Sequence, residues 1–156
     1  MKKLVLVMAV VAFGFTANAQ DFKAGVNGGF ISGDFSDGYS FTIALDVSAL
    51  WNVSEQFDAG VTTGYSHSLG EDNVDAAGFL PLAASGRLGL GDGFSVGADL
   101  GYAVGISPDG NDGGFYYAPR VQYGVSDAID IVAAYRGVSV DGGSFNNITF
   151  GIEFGL

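Results

Sequence analysis

Nine charged residues fall on the polar side of otherwise uncharged, alternating stretches: Lys23, Asp46, Asp58, Arg87, Asp99, Arg120, Asp130, Arg136 and Glu153. Such a set has two chemical uses. Held in a low-dielectric interior the charges pair, because an isolated buried charge is costly. Lining a wet bore, they select and pass ions. Pairing between adjacent strands predicts Arg87 near Asp58 and Asp99, Arg120 near Asp99 and Asp130, and Lys23 near Glu153.

Two other constellations carry less. The single histidine, His67, lies between Ser66 and Ser68, with Glu71 or Asp72 near enough in sequence to orient its ring. The segment Gly64-Tyr-Ser-His-Ser68 lacks the final glycine of a nucleophile elbow, so no catalytic residue is assigned. The stretch 108–114, Pro-Asp-Gly-Asn-Asp-Gly-Gly, resembles a calcium loop until Gly113 takes the third ligand position. No metal and no cofactor is assigned either.

The elements that must position these charges are read from the alternation itself. In residues 39–52, Tyr39, Phe41, Ile43, Leu45, Val47, Ala49 and Trp51 are apolar and the residues between them are polar or small. A strand of this length, at ~3.3 Å per residue, spans enough to cross the ~30 Å membrane core when tilted. The same pattern recurs at residues 22–31, 57–66, 79–90, 94–105, 115–125, 129–138 and 145–156. Eight strands are therefore predicted, with a bulge or strand end near Pro81 and near Pro119, each of which forfeits a ladder hydrogen bond.

The chain opens with Lys2 and Lys3, twelve mostly apolar residues and Ala17-Asn-Ala19, the pattern of a secretory signal peptide cut after residue 19. The predicted domain is residues 20–156. Without the leader, four basic residues face 17 acidic ones, a net charge of −13 that argues against a nucleic-acid partner. There are no cysteines, hence no disulfides or thiolate metal sites. No window after the leader is apolar enough for a spanning helix, so a membrane protein of this sequence must be a closed barrel.

Which face is inside follows from the charges. A soluble lipocalin-like barrel would carry abundant Lys and Glu on its polar face. Here that face is mostly Gly, Ala, Ser and Thr with the nine charges, too small and too sparsely charged for a solvent surface. The apolar face is read as lipid contact and the polar face as lumen. Aromatics near the strand ends form two expected interfacial girdles, Tyr39 among them, since a barrel this narrow is expected to hold few rings inside. Connections around 33–38, 67–78, 107–114 and 139–144 are expected to be longer than those around 52–56, 91–93 and 126–128, placing both termini in the periplasm. The longer loops hold Asp34, Asp37, Glu71, Asp72, Asp75, Asp109, Asp112 and Asp141 and no Lys or Arg.

On the leader, the eight amphipathic segments and the terminal run 148–156, the chain resembles the small outer-membrane β-barrels of Gram-negative bacteria, the OmpA/OmpX type. The resemblance implies an all-β, eight-stranded antiparallel up-and-down transmembrane barrel. It also implies an assembly signal in the last strand, carried by Ile152, Phe154 and Leu156, where relatives usually end in an aromatic residue. Expected partners are outer-membrane lipid, lipopolysaccharide and the barrel-assembly machinery, with the protein a monomer. Three functions follow in order: a structural or surface-interaction protein with an ion-paired lumen, a small porin-like channel, and a lipid-modifying enzyme.

Overall fold

Strands with one apolar and one polar face leave unpaired backbone groups at their edges unless the last strand pairs with the first. The computed structural model describes residues 20–156; the leader expected at residues 1–19 lies outside the described residues. Its strands are β1 (Gln20–Gly33), β2 (Tyr39–Asn52), β3 (Phe57–Gly70), β4 (Ala77–Gly91), β5 (Phe94–Ser107), β6 (Gly114–Gly124), β7 (Ile129–Val140) and β8 (Gly143–Gly155). They close in chain order into an antiparallel barrel, with β1 bonded to both β2 and β8. The fold is the all-β, eight-stranded up-and-down barrel that the alternation predicts.

Side-chain direction follows residue parity. Val26, Leu45, Leu100, Ile131 and Phe150 point outward and are half or more exposed, while Ala44, Asp46, Asp99, Arg120 and Thr149 point inward and are buried. Exposed aliphatic and aromatic faces around a closed sheet form a surface suited to lipid rather than water. Ladders of hydroxyls knit the inner wall: Ser48 meets Thr62 at 2.8 Å, Thr62 meets Ser85 at 2.6 Å, and Thr42 meets Ser68 at 2.7 Å.

Three details depart from the sequence reading. At Pro119 there is neither bulge nor strand end, because Tyr117 opposite Gly137 and Arg120 opposite Ala134 keep one register across the proline. Near Pro81 the β3–β4 pairing lapses between Thr63–Leu82 and Ser66–Phe79, and the Thr63 hydroxyl donates to the Pro81 carbonyl at 2.8 Å; a register shift follows at Gly78–Phe79 on the β5 side.

Several strands also run further than their alternation suggests, β3 to Gly70 and β4 from Ala77. The connections at one end shorten to 34–38, 71–76, 108–113 and 141–142, against 53–56, 92–93 and 125–128 at the other. Backbone pairing continues past the apolar pattern because hydrogen bonds need no particular side chain.

The third departure concerns Tyr39. A register shift between Tyr39 and Thr42 marks an extra residue in β2, so Tyr39 pairs opposite Gly70 whereas Thr42 pairs opposite Ser68. The bulge turns Tyr39 away from lipid and onto Phe145, with ring centroids 5.0 Å apart. It does not belong to the outer girdle.

Candidate functional site

Inward parity on all eight strands directs the charged side chains to one axis, and they settle in layers along it. Nearest the short turns, Lys23 Nζ on β1 reaches Asp130 at 2.8 Å and Glu153 at 3.7 Å. Glu153 on β8 is the hub: Arg120 Nη2 donates to its Oε2 at 2.7 Å and Gln122 Nε2 to its Oε1 at 2.8 Å. Arg120 Nη1 lies 3.6 Å from Asp99, whose other oxygen lies 2.7 Å from Arg87 Nη1. The Arg87 contact is an ion pair without hydrogen-bond alignment, since Nη1 donates instead to the Gly86 carbonyl at 2.9 Å.

A second pair lies deeper. Arg136 on β7 crosses the lumen to Asp46 on β2 with two hydrogen bonds, and its Nε donates to the Thr149 hydroxyl at 3.1 Å. Asn27 Nδ2 adds a bond to Asp46 at 2.9 Å. Arg87, Arg120, Arg136, Asp46, Asp99 and Glu153 are each at most 5% exposed. The Arg136–Asp46 fork and the single charged hydrogen bond from Arg120 to Glu153, held this far from bulk water, are strong but rigid contacts.

Of the nine charges singled out from sequence, eight enter these layers and Asp58 does not. Although Asp58 stands directly opposite Arg87 in the β3–β4 register, it accepts from Asn52 at the turn-side rim while Arg87 bends inward to Asp99. Arg120 likewise pairs with Glu153 and not with Asp130, which takes Lys23. Adjacency along the sheet correctly gives Arg87–Asp99, Arg120–Asp99 and Lys23–Glu153, and misses the contacts of long side chains that reach strands two or three places away.

Above the ionic layers lies something the sequence reading missed. Phe79, Phe145, Tyr116, Val138, Ile31 and Ala103 form a buried apolar cluster in the half of the lumen nearer the longer loops, and Phe35, Tyr39 and Val140 pack onto it. Phe79 and Phe145 meet tilted, with centroids 5.2 Å apart. The gap between this cluster and the Asp46–Arg136 pair, lined also by Tyr116 and Asn147, measures about 10 Å³. Parity alone marks Phe79 and Phe145 as inward, but the expectation that aromatics face lipid hid the signal.

His67 lies within β3 and not in a loop. Its neighbours Ser66 and Ser68 have the opposite parity: Ser68 bonds Thr42 in the buried interior, while His67 Nδ1 meets the hydroxyl of outward-facing Tyr65 at 3.2 Å. The serine and histidine side chains of this segment are thus on opposite sides of the wall. Of the residues expected to carry an assembly signal, Ile152 and Phe154 face outward, and Leu156 follows the strand with its N–H donating to the Phe22 carbonyl at 2.8 Å.

A closed antiparallel barrel with an apolar outer belt and an ion-paired interior defines a transmembrane β-barrel. The family model for the outer membrane protein beta-barrel domain matches residues 4–155, and the chain belongs to that family, a protein of the Gram-negative outer membrane. No curated protein sequence matches it.

Among solved structures it is similar to Ail, the attachment invasion locus protein of Yersinia pestis, with a TM-score of 0.62 and 14% identity over 88% of this chain and 97% of that one. Neisserial surface protein A gives 0.55 and 16% identity over 89% and 98%. The N-terminal barrel domain of Pseudomonas aeruginosa OprF gives 0.55 and 14% identity over 90% and 100%. At such identities the likeness is one of fold.

Proposed function

We propose that this protein is a non-catalytic, monomeric outer-membrane barrel whose lumen is closed and whose work is structural or carried out by its outer loops. The observation that carries the reading is the double obstruction of the axis: buried ion pairs across the barrel, then an aromatic cluster, with about 10 Å³ between them. That volume admits no more than about one water molecule. The orientation that accompanies the proposal puts the longer, acidic loops outside and both termini in the periplasm, with lipopolysaccharide at the outer rim and the assembly machinery reading Ile152, Phe154 and Leu156.

The alternative is a small porin-like channel, for which the same charges would line the path. Single-channel recording in planar bilayers separates the two. The closed-lumen reading expects no steady openings; steady openings abolished by Arg120→Ala would sink it. A lipid-modifying activity is the third reading, and the opposed faces of His67 and Ser68 weigh against it. Lipid A deacylation lost in His67→Ala would restore it.

One relative helps define the outer surface by contrast. Ail has been solved in complex with the heparin analogue sucrose octasulfate, a polyanion. The outer loops here carry eight acids and no Lys or Arg, so a free polyanionic ligand is repelled, cationic partners are favoured, and anionic lipopolysaccharide at the rim is met through bridging divalent cations.

A further inference from the structure

At the loop end of the barrel the aromatic cluster is not fully covered. A cleft of about 250 Å³ remains between it and the loops, lined below by Phe79, Phe145, Tyr39 and Phe35 and at its rim by Asp109, Asp112 and Asp141. We propose that this cleft binds a small organic cation built on one apolar ring, an arylalkylammonium.

Three observations on the site define that chemistry. The floor is a preformed set of rings: Phe145 contacts Phe35, Tyr39 and Phe79 at centroid distances of 5.6, 5.0 and 5.2 Å. Rings held this way accept an apolar body, and their faces attract a cation passing over them. The rim supplies three exposed carboxylates with no basic residue in any loop at that end, so anions are excluded and a positive head group is held. Among the described residues no three acidic or histidine side chains converge as metal ligands, so the rim suits a diffuse organic charge rather than a bound metal ion.

Size completes the argument. At ~30 Å³ per water the cleft holds roughly eight waters' worth of volume, below the ~300–1,000 Å³ of drug-sized sites. A single ring with a short ammonium arm fits that space. The floor of the cleft is the loop-side face of the aromatic obstruction itself. The two readings are told apart by separate measurements: conduction with saturable cation binding would sink only the closed lumen, and a silent barrel without binding would sink only the cleft.

The test uses the whole barrel in phosphatidylcholine nanodiscs, where both mouths are open to solvent. Benzyltrimethylammonium is titrated by calorimetry, with 3-phenylpropionate as an anionic probe of similar size and empty nanodiscs as the baseline for lipid partitioning. The expected result is saturable one-to-one binding of the cation and none of the anion. Replacing the rim carboxylates together, Asp109→Asn, Asp112→Asn and Asp141→Asn, weakens binding at least tenfold. Tyr39→Leu weakens it about three- to tenfold, the range a lost cation–π contact gives.

The three aspartates are exposed, and retention of the heat-dependent shift on an SDS gel verifies that the variants fold; Asp141→Asn alone serves if the triple variant does not. No saturation above empty nanodiscs, equal binding of 3-phenylpropionate, or unchanged affinity in a folded rim variant would each overturn the proposal.

Discussion

Arg120 touches two carboxylates from one buried guanidinium, Glu153 at 2.7 Å and Asp99 at 3.6 Å, and Asp99 in turn holds Arg87. Removing such a residue leaves charges in a medium that solvates them poorly. Arg120→Ala is therefore expected to destabilise the barrel by about 3–5 kcal/mol, read as a lower urea midpoint for unfolding from lipid. Pairing Arg120→Met with Glu153→Gln should recover most of that loss, because the residual cost is the stranded charge rather than the missing contact; a double variant as unstable as the single one would contradict this. At this scale the sequence was informative about which residues are charged and inward and about three contacts between adjacent strands, Arg87–Asp99, Arg120–Asp99 and Lys23–Glu153, and uninformative about the pairs that cross the lumen. Asp58 and Arg87 illustrate the gap: they are neighbours in the register, yet Arg87 turns toward the axis and Asp58 to Asn52 at the rim.

Strand β2 carries the cleanest alternation in the chain, and it is where the period-two reading fails. One extra residue between Tyr39 and Thr42 reverses the direction of Tyr39 relative to Ile43 and Leu45, converting an expected lipid-facing ring into part of the outer cleft. Bulges leave no mark in an alternating sequence, since they alter pairing rather than composition.

The difference is measurable in bilayers. Tyr39→Cys should react with a charged, membrane-impermeant maleimide, whereas Leu45→Cys, on the lipid face, should stay unmodified. Equal protection of both would return Tyr39 to the lipid belt. Pro119 teaches the complementary lesson: a residue that reads as a strand breaker sits mid-strand at the cost of local pairing with β7, because its other neighbour, Ala98 on β5, remains opposite it.

Across the whole molecule, the lumen is graded from polar to apolar along its axis, ionic near the short turns and aromatic toward the longer loops. Two barriers in series predict that opening either one is insufficient. Phe79→Ser with Phe145→Ser should leave the barrel non-conducting in planar bilayers, because the Arg136–Asp46 and Arg120–Glu153 pairs still cross the lumen. Conduction by the aromatic variant alone would mean that the ion pairs do not obstruct the path.

The sequence by itself determined the strand count, the faces of nearly every strand and the closure of the sheet, because parity is local and an unpaired edge is not tolerated in lipid. Only the tertiary structure decided that Arg136 meets Asp46, that Tyr39 turns inward, and that Phe79 and Phe145 meet above the ion pairs. Those outcomes depend on how far each strand is staggered against the next around a closed ring, a quantity that accumulates over eight registers and that no single strand encodes.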